Sequence, residues 1–101
     1  MRMLLNVKFP NKEFNAAVKD GTADEKLGKI LDEIGPEAIY FTKQNGQRAA
    51  LLIVDLEGPW EVPAMAEPWF LAFNADVSFH IIMTPDDLKK AGLAKLGKKW
   101  S

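Results

Sequence analysis

At 101 residues, 48% of them apolar, the chain has the length of one domain with a modest core, and no linker or low-complexity tract divides it. Thirteen basic and fourteen acidic side chains leave a formal charge of −1, which argues against nucleic acid or an anionic membrane surface as a partner. No cysteine is present, so disulfides, thiolate catalysis and Cys-ligated metal centres are excluded.

The apolar runs Ala49–Val54 and Trp69–Phe73 are too short to span a bilayer, and Met1-Arg2-Met3-Leu4-Leu5-Asn6 lacks the apolar length of a signal peptide. A cytoplasmic protein is therefore the expectation. Met3 to Phe9 alternates, with Met3, Leu5, Val7 and Phe9 on one side and Leu4, Asn6 and Lys8 on the other, and Pro10 ends this first strand. Asn11 opens a helical stretch carrying Phe14, Ala17 and Val18, which Asp20-Gly21 interrupts. Thr22-Ala23-Asp24-Glu25 reads as a capping box that starts a second helix. Its stripe is Leu27, Ile30, Leu31 and Ile34, and Gly35-Pro36 stops it, because Gly permits a left-handed cap and Pro cannot continue the helix.

Glu37 to Lys43 alternates again, and Gln44-Asn45-Gly46-Gln47 supplies Asn-Gly turn chemistry into Arg48 to Leu56, so these two strands form a hairpin. After Gly58-Pro59, Pro63 starts a helix that places Met65, Trp69, Phe70 and Phe73 on one side, with Pro68 kinking or restarting it and Asn74 capping its end. The last strand spans Asp76 to Thr84. Val77, Phe79, Ile81 and Met83 face the core in this reading, and Ser78, His80, Ile82 and Thr84 face away. Thr84-Pro85-Asp86-Asp87 caps a short terminal helix within a tail of about residues 85–101.

The order strand, helix, strand, strand, helix, strand predicts an α+β fold, the ferredoxin-like βαββαβ pattern. It has a four-stranded antiparallel sheet, and both main helices lie on one face. The strand Ala49-Ala50-Leu51-Leu52-Ile53-Val54 is apolar on both faces, a pattern expected where both faces are covered. Leaving Leu4, Leu52, Val54 and Ile82 exposed would forfeit roughly 1.5–3 kcal/mol each, so a homodimer with sheets face to face is expected.

Within this frame several chemistries drop out. RNA recognition on this topology needs stacking aromatics on the central strands, and the third strand is aliphatic. Phe9-Pro10-Asn11-Lys12 contains neither arginine nor glycine for a phosphate loop, and Gly21, Gly28 and Gly35 match no nucleotide-binding pattern. One histidine and no cysteine cannot make a multi-His metal site in one subunit, so no metal and no cofactor are expected.

The polar set facing the predicted dimer is Asn6 and Lys8 on the first strand and Ser78 and His80 on the last, with Tyr40 and Thr42 from the second. Such a set can orient a small ligand, and His80 is the candidate catalytic residue because its imidazole exchanges protons near neutral pH. A lone strand histidine is more often a packing or hydrogen-bonding residue. Trp69, Phe70 and Phe73 at helical spacing read as core, while Trp60 in Gly58-Pro59-Trp60-Glu61 either gates a pocket or closes over a helix end. The terminal Lys89, Lys90, Lys95, Lys98 and Lys99, interleaved with Leu88, Leu93, Leu96 and Trp100, read as a solvated tail that docks on the domain or its partner.

The element order, with Ala64-Met65-Ala66-Glu67-Pro68-Trp69-Phe70 and Met83-Thr84-Pro85-Asp86-Asp87-Leu88, resembles a family of small uncharacterised bacterial proteins over nearly the whole chain. More distantly it is similar to the dimeric α/β-barrel superfamily, which includes muconolactone isomerase-like enzymes, cofactor-free monooxygenases and haem-degrading proteins. The resemblance implies the fold and leaves function open. Three functions follow as expectations. The first is a small-molecule-binding dimeric barrel with an apolar inner cavity. The second is a cofactor-independent isomerase or monooxygenase for an aromatic or apolar compound, with His80 as proton shuttle and Lys8, Asn6 or Tyr40 stabilising an enolate-like anion. The third is a structural dimer without ligand.

Overall fold

The computed structural model describes residues Met1–Ser101. Strand β1 (Arg2–Lys8) is followed by helices α1 (Asn11–Lys19) and α2 (Ala23–Ile34), then by the hairpin β2 (Ala38–Gln44) and β3 (Gln47–Asp55). A single 3₁₀ turn at Pro59–Glu61 leads into α3 (Val62–Phe73), strand β4 (Asp76–Ile81), and the short helices α4 (Pro85–Ala91) and α5 (Leu93–Lys99). The strands form one antiparallel sheet in the order β2-β3-β1-β4, an α+β arrangement compatible with a ferredoxin-like fold. No helix is long and apolar enough to cross a membrane.

The alternation in β1 decides how the layers stack. Met3, Leu5 and Val7 are buried and pair with Val54, Leu52 and Ala50 on one side and with Ile81, Phe79 and Val77 on the other. Phe14, Ala17, Ile30, Trp69 and Phe73 from the helices close on this face. Phe9, just past β1, is the hub of the aromatic core. Its ring lies edge-on to Phe14 (4.9 Å), Phe73 (5.1 Å) and Trp69 (5.8 Å), and its amide donates to the Arg48 carbonyl at 2.9 Å. Edge-to-face contacts of this kind add to the burial of the rings themselves. The Trp69 Nε1–H, fully buried, has no acceptor.

Turn chemistry sets the strand register. Asn45 (φ 53°) and Gly46 (φ 78°) both take left-handed conformations, as a two-residue hairpin loop requires, and this fixes Lys43 opposite Arg48 and Ile39 opposite Leu52. Asn74 at φ 53° ends α3, as its position predicts, and α3 runs through Pro68 as one helix.

Several expectations change. Leu52 and Val54 face the helices and are buried; the residues that accompany Leu4 on the other face are Leu51 and Ile53. A strand apolar on both faces carries no alternation to choose between them, and only its pairing with β1 decides. The capping box at Thr22 does not form, because Asp20 Oδ1 accepts both the Thr22 amide (2.9 Å) and its hydroxyl (2.6 Å). Strand β4 stops at Ile81, so Ile82 and Thr84 lie beyond it, and Ile81 and Met83, past the reach of the helices, are exposed. Phe70 is 40% exposed on the outer side of α3, off the stripe of Trp69 and Phe73.

The tail does not dock on its own domain. Thr84 and Asp87 make a capping box (Thr84 N to Asp87 Oδ2, 3.0 Å; Asp87 N to Thr84 Oγ1, 3.1 Å), and α4 and α5 then lead away from the sheet and helices. The radius of gyration is 17.0 Å, against about 13 Å for a compact chain of this length, and the longest dimension is 59 Å. Leu88, Leu93, Leu96 and Trp100 are exposed along this arm.

Candidate functional site

The face of the sheet without helices is built of three cross-strand rows. In order from β4 to β2 these are His80, Leu4, Ile53 and Ala38; then Ser78, Asn6, Leu51 and Tyr40; then Asp76, Lys8, Ala49 and Thr42. The candidate site residues Asn6, Lys8, Tyr40, Ser78 and His80 all stand on this face, as does Thr42.

They do not all converge. β2 and β4 are opposite edges, three strand spacings apart, so Tyr40 is roughly 14 Å from the histidine edge. Asn6, Lys8, Ser78 and His80 form the nearer group. The Ser78 hydroxyl lies 3.4 Å from His80 Nε2 and no carboxylate hydrogen-bonds the imidazole, so the ring has one polar neighbour and nothing to fix its tautomer. Both residues are exposed.

Asn6 has a partner that the sequence reading placed in the turn. Its Nδ2 donates to Gln44 Oε1 at 3.1 Å, and Gln44 Nε2 donates back to Asn6 Oδ1 at 3.0 Å. This pair reaches across β3 from β1 to β2. Ala49, between the two strands, keeps the route low, and it is fully buried although it belongs to the outward face. The amide pair takes Asn6 out of the group free to meet a ligand, leaving Lys8, Ser78 and His80.

Leu4, Leu51 and Ile53 are half-buried in the middle of the face, and Tyr40 is 65% exposed at its edge. The result is a flat apolar centre with polar borders. The larger depressions of the isolated chain lie elsewhere, beside α1 and the β2–β3 hairpin, around Arg2 and Asp55, between α2 and α3, and along the arm. At the rim, the amino group of Met1 pairs with Asp55 at 2.9 Å and Arg2 Nε with Glu37 at 2.9 Å. The hydrogen bond from that amino group, then its charge, holds the Asp55 carboxyl below the ordinary carboxylate range. No three His, Cys, Asp or Glu side chains converge as metal ligands. Trp60 is 72% exposed in the 3₁₀ turn, and its ring lies over Gly58, where a Cβ would collide with it. It closes over its own turn and lines none of the main depressions.

Compared with known proteins, the chain matches no family model, no curated protein and no solved structure.

Proposed function

We propose that the chain is a small-molecule-binding protein that works as a face-to-face homodimer, a dimeric α/β-barrel of the kind its sequence resembles. The observation that carries this reading is the unbroken apolar centre Leu4–Leu51–Ile53 on a sheet face with no helix over it, bordered by Lys8, Ser78 and His80. A second copy of the same face is self-complementary, as a two-fold interface requires. Closing the two sheets removes Tyr40 and the half-exposed aliphatic side chains from water, worth about 25 cal/mol per Å² of apolar area. The flat face offers no chamber alone, so a ligand site here needs both copies, and the polar borders would orient a small, mainly apolar ligand between them.

The Ser78–His80 contact favours a second reading on the same face: a cofactor-independent isomerase or monooxygenase in which His80 carries the proton. Dilution of isotope-labelled protein followed by NMR tests the dimer on which both readings rest. Amide shifts at Leu4, Leu51, Ile53 and His80 are expected to change with concentration while those of α2 and α3 stay fixed. Shifts that do not move across the face on dilution, in a protein of monomer tumbling time, would end both readings.

A further inference from the structure

The β2–β3 hairpin sets Lys43 directly opposite Arg48 on the helix-side face. Like charges in that position repel, and an uncompensated pair is a cost the turn imposes. Neither cation has a carboxylate partner; the two ion pairs of the molecule are Met1–Asp55 and Arg2–Glu37. Arg48 is nevertheless held in place. Its Nη1 donates to Asn15 Oδ1 at 2.8 Å and its guanidinium lies 4.6 Å from the Phe14 ring centroid, which aims a rigid cation rather than a waving one.

Two adjoining depressions share these cations. One, of about 750 Å³, has apolar walls from Phe14, Leu27 and Phe41; the other, of about 420 Å³, is polar and includes the amides of Asn11 and Asn15. Phe41 is 55% exposed although it points to the helix side, and it faces Leu27 of α2 across the open trough. An apolar trough that runs into a paired, unneutralised cationic end has the polarity of an amphipathic anion. Asp24, in the first turn of α2, stands on the same trough, outside ion-pair distance of Lys43 and Arg48. It disfavours a second negative charge on the body of the ligand.

We propose that this groove binds an organic monoanion with an alkyl or aromatic body, its carboxylate between Lys43 and Arg48 and its body against Leu27 and Phe41. The site lies on the opposite side of the sheet from the proposed dimer face, so the two stand or fall separately. The charge-assisted contacts supply selectivity, and the apolar wall supplies area.

Titration of the full chain with octanoate, followed by amide NMR, tests the site. Saturable shifts are expected at Leu27, Phe41, Lys43 and Arg48, with octylammonium at least about tenfold weaker, because each lost charged contact is worth about one decade of affinity. The double variant Lys43→Gln, Arg48→Gln should weaken octanoate by about tenfold or more while amides outside the hairpin keep their shifts. If that variant does not fold, Lys43→Gln alone must still weaken octanoate relative to octylammonium. No saturable shift, equal binding of both amphiphiles, undiminished binding in the folded variant, or shifts confined to Leu4, Leu51 and Ile53 would each overturn the assignment.

Discussion

Asn6 and Gln44 exchange two amide hydrogen bonds, at 3.1 and 3.0 Å, across an intervening strand, over the fully buried Ala49. Each side chain satisfies a donor and an acceptor of the other, so the pair behaves as one unit on the open face. Removing Gln44 leaves Asn6 unpaired beside Leu51, its neighbour in the sheet, and removing Asn6 leaves the Gln44 amide without its partner. Asn6→Ala and Gln44→Ala should each cost about 0.5–1.5 kcal/mol in urea unfolding, with the double variant costing clearly less than the sum. Additive costs would mean that the two bonds are not coupled.

Phe9 joins the sheet to two helices through three ring contacts. Phe9→Ala should cost about 3–5 kcal/mol, a large share of the 5–15 kcal/mol typical of a domain, whereas Phe9→Leu should cost much less because it refills most of the volume. Denaturant midpoints of the two variants separate these outcomes.

The arm from Pro85 to Ser101 leaves its side chains exposed and packs little against the body, so its removal should leave the thermal midpoint of the remaining chain nearly unchanged. A large fall in midpoint would show that the arm covers Leu88, Leu93, Leu96 and Trp100 against the domain in solution.

The cap of α4 carries a pH dependence of known sign. The Thr84 amide, then its hydroxyl, holds the Asp87 carboxyl below the ordinary carboxylate range. A depressed carboxylate stabilises the folded cap above its unfolded pKa, about 3.9, and that contribution is lost as pH falls through the lower folded value. The Asp87 and Leu88 amide resonances should therefore move together below about pH 4, and Asp87→Ala should abolish the step. Movement centred near neutral pH would contradict the assignment.

Much of this fold was readable where local chemistry and pattern agree. Asn45-Gly46 forces one hairpin register, Gly35 and Asn74 end helices, and the alternation of β1 assigns its two faces. What was not readable depended on tertiary context. Leu51 and Leu52 are chemically equivalent, so only the pairing of β3 with β1 decides which meets the helices. Thr22 had two possible partners, and the nearer Asp20 won over Glu25. The candidate residues do share a face, but their separation across the sheet, from Tyr40 on one edge to His80 on the other, needs strand order as well as periodicity. Lys43 and Arg48 were within reach of the sequence, since a two-residue turn at Asn45-Gly46 places them opposite; the trough beside them was not, because its walls come from α1, α2 and the hairpin, which only the tertiary fold brings together.

The central claim is that the bare face belongs against a second copy. Light scattering during size-exclusion chromatography at micromolar concentration, on the full chain and on Ile53→Glu, tests it most directly. A full chain at twice the 11.3 kDa chain mass, with folded Ile53→Glu at 11.3 kDa, is the predicted result. A monomeric full chain, or a dimer that Ile53→Glu leaves intact, would contradict it.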